Sequence, residues 1–249
     1  MVVLAHVSDL HLDGGPRAAA RTERVLAAID ALRHRIDAVL VTGDLTDSGT
    51  AAEYEELRAL LGDRQRFLLC PGNHDVRAAY RGVLLGRPAT DEPIDQVHDL
   101  PRLRVAMCDS TIPGRDDGEL GEDTLAWLDG VLADAPATRA LVAFHHPPVT
   151  LGSPFADALR QHRVERLEAL LVAHPQVVGV LCGHAHTAAA TTFAGRPLFV
   201  APGVASTLRL PWEDSAVVLD RDLPPALAFH VLDDDGRLTT HVRSVLMEA

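Results

Sequence analysis

Five short apolar runs, rich in β-branched residues, each end on a cluster of carboxylate, imidazole or amide side chains. Val2–Val7 leads to Asp9-Leu10-His11, Ala38–Thr42 to Gly43-Asp44, and residues 66–70 to Gly72-Asn73-His74-Asp75; residues 139–144 lead to His145-His146 and Val177–Cys182 to Gly183-His184-Ala185-His186. Short runs of this make-up, without polar alternation, read as strands buried on both faces. A sixth run, 103–108, ends on no such cluster. Helical stripes separate several of them: Val25, Ile29 and Leu32; Leu57, Leu60 and Leu61; Leu125, Leu128 and Leu132; Leu167, Leu170 and Leu171. Alternating β and α elements imply an α/β protein, its sheets covered by helices, rather than a barrel of hairpins. Beyond His186 strands are expected at 188–193, 197–201, Ala226–Leu232 and 238–245, with no long helices between them. Asp233-Asp234-Asp235-Gly236 suits a hairpin turn, so the second half adds mostly antiparallel strands. Nothing in the chain marks a domain boundary, and residues 1–249 are expected to form one domain.

Carboxylates, imidazoles and one amide are the ligand types that hold hard-to-borderline divalent cations. Asp9 and His11 stand two apart, and in extended chain residues i and i+2 face the same side, so both can reach one metal. Gly43 before Asp44 permits a backbone geometry or close approach that a Cβ would forbid. The two oxygens of Asp44 can bridge cations roughly 3.5–4 Å apart. Asn73 can give its carbonyl oxygen to a metal and its NH₂ to a substrate oxygen. Asp75 is also suited to cap a helix beginning near Val76. Alone, D-x-H reads as a solvated loop and Gly-Asp as a turn. Five such clusters in one order point to a two-metal site.

The net charge of −12 argues against a partner held by its phosphate backbone, which needs a basic face. Cys70, Cys108 and Cys182 cannot all pair, and each ends an apolar run, so they read as buried free thiols of a reducing compartment. The N-terminus lacks the basic region of a signal peptide, and no apolar run nears the ~20 residues of a membrane helix. A cytoplasmic protein without a membrane partner is expected. His6, His34, His98, His162, His174, His230 and His241 lie outside every cluster and read as surface or hydrogen-bonded polar groups.

The clusters and their order resemble the calcineurin-like metallophosphoesterase superfamily, whose motifs read D-x-H, G-D, G-N-H-[DE], H and G-H-x-H. Val7-Ser8-Asp9-Leu10-His11-Leu12, Cys70-Pro71-Gly72-Asn73-His74-Asp75, Ser110-Thr111-Ile112-Pro113-Gly114-Arg115, Gly118-Glu119-Leu120 and Phe144-His145-His146-Pro147-Pro148 look like the bacterial class III cyclic nucleotide phosphodiesterases within it. That likeness covers residues 1–205; the tail 206–249 carries no motif and is where relatives would differ in dimerisation or base contacts.

The resemblance implies a four-layer sandwich, two mixed β-sheets flanked by helices, with a dinuclear metal site at the sheet edge. It implies two divalent cations (Mn, Fe, Zn or Co), one held by Asp9, His11 and His186, the other by Asn73, His145 and His184, with Asp44 shared. His145 is preferred over His146 as the first residue after its strand; His146 then backs the ligands or faces substrate. His74 would face the phosphate, oriented by Asp75, making Asn73, His74 and Asp75 the catalytic set. A hydroxide held between the metals would cleave a small phosphodiester, 3′,5′-cyclic AMP to 5′-AMP for example. Arg115 either meets a phosphate or lies in solvent, and a homodimer is compatible with the chain. A phosphoprotein phosphatase would share every ligand. A nuclease would need a basic groove, a scaffold would be expected to have lost ligands, and a structural metal site would favour a closed cysteine-rich shell.

Overall fold

A computed structural model describes residues 1–34, 36–63, 66–213 and 216–246. Strands β1 (Val2–Val7), β2 (Ala38–Thr42) and β3 (Phe67–Cys70) run parallel, while β12 (Ala226–Leu232) and β13 (Leu238–Ser244) add antiparallel on the far side of β1. The order is β13-β12-β1-β2-β3. A second sheet is built from β4 (Gln96–Leu100), β5 (Leu103–Met107), β6 (Arg139–Ala143), β7 (Val177–Cys182), β8 (Ala189–Phe193) and β9 (Arg196–Val200). Its order is β4-β5-β6-β7-β9-β8, parallel through β5, β6, β7 and β9 and antiparallel at both edges. A two-residue ladder joins β10 (Thr207–Leu208) to β11 (Leu219–Asp220).

Three apolar clusters define four layers. Helices α1 (Pro16–Asp30), α2 (Ala51–Leu61) and α3 (Arg77–Leu84) pack Val25, Ile29, Leu57 and Tyr80 with Ala5, Val7, Val39 and Val41 of the first sheet. Leu4, Leu40 and Leu68 on the opposite face meet Val105, Leu141 and Leu181 of the second sheet. Val142, Phe144 and Val180 are then covered by Leu125, Leu128, Leu167 and Leu171 of α4 (Glu122–Ala133) and α6 (Glu165–Ala173). The strand β2 alternates Val39 and Val41 toward helices with Ala38 and Leu40 toward the other sheet, which is why its sequence shows no polar face. The expected sandwich of two mixed sheets flanked by helices is thus present. Among the described residues no helix is long and apolar enough to cross a membrane.

Local sequence explains the ends. The α2 helix opens with a full capping box, Thr50 and Glu53 each accepting from the other's backbone N–H. At α1, Pro16 takes the first turn and the helix stops at Asp30, leaving Leu32 of the expected stripe outside it and exposed. The β12–β13 hairpin turns at Asp233–Gly236 as expected, with Leu232 opposite Leu238. Asp75 does not cap α3: the capping position is Val76, without a side-chain bond. All three cysteines are buried and free. Of the histidines outside the clusters, His6 and His230 are of the hydrogen-bonded kind: both are buried, they bond each other at 3.0 Å and bond Thr42 and Thr240 through their outer nitrogens.

The chain after β9 returns to the first sheet, and α1 holds it there. Arg21 donates to the carbonyls of Val204, Arg221 and Leu223, and Arg17 to those of Ala205 and Arg221. The backbone of Val204 and Ala205 also donates to Ser8 O and Asp9 O. The motif-free tail is in this way laid against the loop that carries Asp9 and His11.

Candidate dinuclear metal site

Parallel strands bring their C-terminal ends to one edge of a sheet, so the loops after β1, β2, β3, β6 and β7 meet. Backbone bonds stitch these loops together: Asp9 N to Gly43 O, His11 N to Asp44 O, Gly183 N to His145 O. Among the described residues eight non-glycine residues hold a positive φ, and five are Asp9 (58°), His11 (45°), Asp44 (48°), His184 (70°) and His186 (50°). Left-handed backbone costs a non-glycine residue about 1–2 kcal/mol, and its concentration here marks a geometry imposed by the surrounding structure. Asp9 and His11 therefore do not converge as alternate residues of extended chain. Each sits on a sharp left-handed bend after its strand.

Two groups of donor atoms lie on either side of one Asp44 oxygen. Asp9, His11, Asp44 and His186 form one set, His145, His146 and His184 the other, the ligand atoms of each lying within 4.8 Å of one another. His11 Nε2 and His186 Nε2 are 3.2 Å apart, and His186 Nε2 is 3.6 Å from Asp9 Oδ1. On the other side His145 Nε2 is 3.1 Å from both Asn73 Oδ1 and His184 Nδ1. Asp44 Oδ2 stands 3.4 Å from His11 Nε2 and 3.4 Å from His145 Nε2, between the sets. Asp44 Oδ1 is taken by the backbone N–H of His74, so one oxygen, not two, faces both groups.

These spacings fit divalent cations. Atoms each about 2.0–2.2 Å from one metal stand roughly 3–3.5 Å apart. His145 Nδ1–H donates to Thr42 O at 2.6 Å, which leaves Nε2 of the neutral ring a bare acceptor facing the acceptors Asn73 Oδ1 and Asp44 Oδ2. Such a cluster of lone pairs needs a proton or a cation at its centre. Burial alone would lower the His145 pKa, but Asp44 and Asp9 overturn this and hold it at about 9. Burial would likewise raise Asp44, yet His145, His11 and His74 keep it well below the usual carboxylate range. Burial, with His145 beside it, drops His184 to about 3. Asp9 is fully buried and its Oδ2 has no hydrogen-bond partner, a costly state unless a cation lies against it.

The outer nitrogens are fixed by residues that no motif marks. His11 Nδ1–H donates to Asp47 Oδ1 at 3.0 Å, and His186 Nδ1 pairs with Ser206 Oγ at 2.9 Å. With Thr42 O behind His145, three imidazoles are held with Nε2 aimed inward. Asp47 lies three residues after Asp44, and its D-L-T-D spacing was the available signal. Ser206 had none. Gly43 and Gly72 meet a space demand: a Cβ on the first would overlap the His145 ring, and on the second Asp44 N and Oδ1.

The remaining candidates fall in distinct places. His74 lines the cavity above the site; its Nδ1–H donates to Asp47 O at 2.7 Å. Asp75 does not orient that ring. Its buried carboxylate accepts from Gly72 N, Leu45 N, Thr46 N, Thr46 Oγ1 and Tyr54 Oη, tying the Asp44 loop to the Asn73 loop. His146 is fully buried behind His145 and His184, its ring 4.8 and 4.7 Å from theirs, and it bonds Ser110 Oγ. Arg115 is exposed and paired with Asp117. Tyr54→Phe should lower stability by roughly 1–3 kcal/mol, because Val76 N loses its buried acceptor and Asp75 a donor. A urea midpoint left at the wild-type value would show the Asp75 knot to be weaker than described.

Residues 2–188 match the family model of the calcineurin-like phosphoesterases. The protein belongs to the calcineurin-like phosphoesterase family. A Rhodococcus erythropolis protein named "Probable cyclic nucleotide phosphodiesterase" is 38% identical over 216 residues, 82% of this chain and 71% of that one. The glycerophosphodiester phosphodiesterase GpdQ of Enterobacter lignolyticus is 32% identical over 243 residues, 92% of this chain and 86% of its own. A solved dimetal phosphatase from Danio rerio superposes with a TM-score of 0.72 at 16% identity, covering 98% of this chain and 99% of that one, a likeness of fold.

Proposed function

We propose that this protein hydrolyses small phosphodiesters, 3′,5′-cyclic nucleotides first among them, in the cytoplasm and with two divalent cations. Asp9, His11 and His186 would hold one, Asn73, His145 and His184 the other, and Asp44 both. The observation that carries this reading is Asp44 Oδ2, 3.4 Å from a histidine nitrogen of each set at the edge of a cavity of about 420 Å³. Manganese, iron, zinc or cobalt suits the mixed O/N donors. When bound, such cations supply Lewis acidity and lower the pKa of water to provide a nucleophile at neutral pH.

The chain's own groups do the rest. With Oδ1 turned toward His145, Asn73 has its NH₂ free to donate to a phosphoryl oxygen. His74 keeps its Nδ1–H on Asp47 O, so Nε2 is the nitrogen that can carry a proton to the leaving ester oxygen. Asp47, Thr42 and Ser206 hold the histidines in one tautomer and orientation. His146, wholly buried, supports the rings of His145 and His184 rather than meeting substrate.

The diester preference follows from the relatives and from the cavity, which has room for a second ester group and lies within the usual size range of small-molecule sites. The test is a set of steady-state rates with manganese on cyclic AMP, cyclic GMP, 2′,3′-cyclic AMP, bis-p-nitrophenyl phosphate and p-nitrophenyl phosphate. Faster turnover of a cyclic nucleotide or aryl diester is expected. Much faster turnover of the monoester, or of phosphopeptides, would make the protein a phosphatase.

A further inference from the structure

The cavity beside the candidate metal site has a part that the hydrolytic chemistry does not use. It is lined by Phe155, Leu159, Leu208, Leu219 and Arg221. The chain is poor in aromatic residues, 4% in all, and nearly every one is buried or half-buried. Two are exposed: Phe155 at 51% and Trp212 at 71%. Phe155 lines the cavity, and Trp212 lies near the segment that carries it. Phe155 sits on α5 (Pro154–Ala158), and the indole of Trp212 lies 3.9 Å from where a Cβ on Gly152 would stand, at the foot of that segment.

The segment is fixed in place. Asp157 accepts from Leu151 N and Gly152 N, at 2.6 and 3.1 Å, and Gln161 N donates to Pro147 O just after the His145-His146 pair. Phe155 is therefore an aromatic face held ready at the cavity, at the cost of remaining in water. Leu208, Leu219 and Arg221 come from the tail that α1 clamps against the site. Arg17 spends its guanidinium on the carbonyls of Ala205 and Arg221, whereas among the described residues the Arg221 side chain has no hydrogen bond or ion pair.

We propose that Phe155, with Arg221 lining the same cavity, is the specificity element for the ester group of the substrate, a stacking face that selects a nucleoside over an aliphatic alcohol. This rests on the diesterase reading above and goes beyond it, since the metals treat all diesters alike. A flat, rigid ring accepts any base by its face, and the free guanidinium can donate to base-edge acceptors. The selectivity is carried by residues 155 and 221, outside every metal-ligand cluster.

The experiment compares kcat/KM for cyclic AMP with kcat/KM for glycerophosphoethanolamine, a diester without an aromatic group, on manganese-loaded protein. Phe155→Ala should lower the ratio of the two by roughly tenfold, as base–aromatic stacking contributes, chiefly through KM for cyclic AMP. Phe155→Tyr should restore the ratio and Phe155→Leu should not, which separates a stacking face from mere bulk. Arg221→Gln should lower the ratio as well. A ratio unmoved in Phe155→Ala, or restored equally by Leu, would overturn the proposal while leaving the diesterase reading intact. Wild-type protein inactive on both diesters but active on monoesters would overturn that reading and this one with it.

Discussion

Asp44→Ala is expected to abolish hydrolysis and to lower metal content more than any other single ligand substitution. Its Oδ2 is the atom that faces both donor sets, at 3.4 Å from each, so its loss opens both shells at once. The cations' charge stabilisation is worth several kcal/mol, and losing it lowers kcat/KM by roughly 10³-fold or more. Asp44→Asn should be nearly as damaging, since a neutral amide cannot offset two dications. Because Asp44 Oδ1 also accepts from His74 N, a local loosening of the Asn73-His74 loop accompanies the loss. Elemental analysis finding two metals per chain in Asp44→Ala would remove Asp44 from the role of shared ligand.

His74→Ala is expected to keep both metals while kcat falls by roughly 10²–10⁴, the contribution of a well-placed general acid. The His74 ring lines the cavity, anchored by Nδ1–H to Asp47 O at 2.7 Å, and stands 4.6 Å from the His11 ring. His11, Asp47 and His74 also bring donor atoms within 4.8 Å of one another, so a metal-ligand role is the competing assignment. Metal analysis separates the two. Nitrophenyl esters, whose leaving groups need no proton, should lose less than cyclic AMP. Equal losses would assign His74 to charge stabilisation, and loss of metal would make it a ligand.

Much of this arrangement was readable from the chain because the same residues serve fold and site. The β2 run Ala38–Thr42 shows no polar alternation since both of its faces are covered, and Gly43 and Asp44 follow it directly. Elements at the periphery were not readable. The edge strand β4, Gln96–Leu100, alternates polar residues and leaves Val97 exposed, so it lacks the apolar run that marks the inner strands. Helix α3 begins after Val76 with no capping side chain and carries Gly82, and α5 spans five residues.

The site divides the same way. The motif residues lie together at one place, but most of the atoms that orient them are of kinds that leave no trace in a sequence. Thr42 acts through a backbone carbonyl, and Ser206 reaches His186 because the tail is clamped by arginines of α1. Asp75 is legible as a motif member, but burial among five donors makes it a tie between two loops, which its motif does not announce. Left-handed backbone at Asp9, His11, Asp44, His184 and His186 could not be foreseen, since none is a glycine.

The central claim is that hydrolysis needs two cations gathered around Asp44. Metal-free protein, prepared by chelation, would be titrated with manganese while hydrolysis of bis-p-nitrophenyl phosphate is followed. Activity without metal is expected to be negligible, and the rate is expected to climb to its plateau only as the second equivalent binds. Full activity in the chelated protein, or a plateau reached at one equivalent, would contradict the claim.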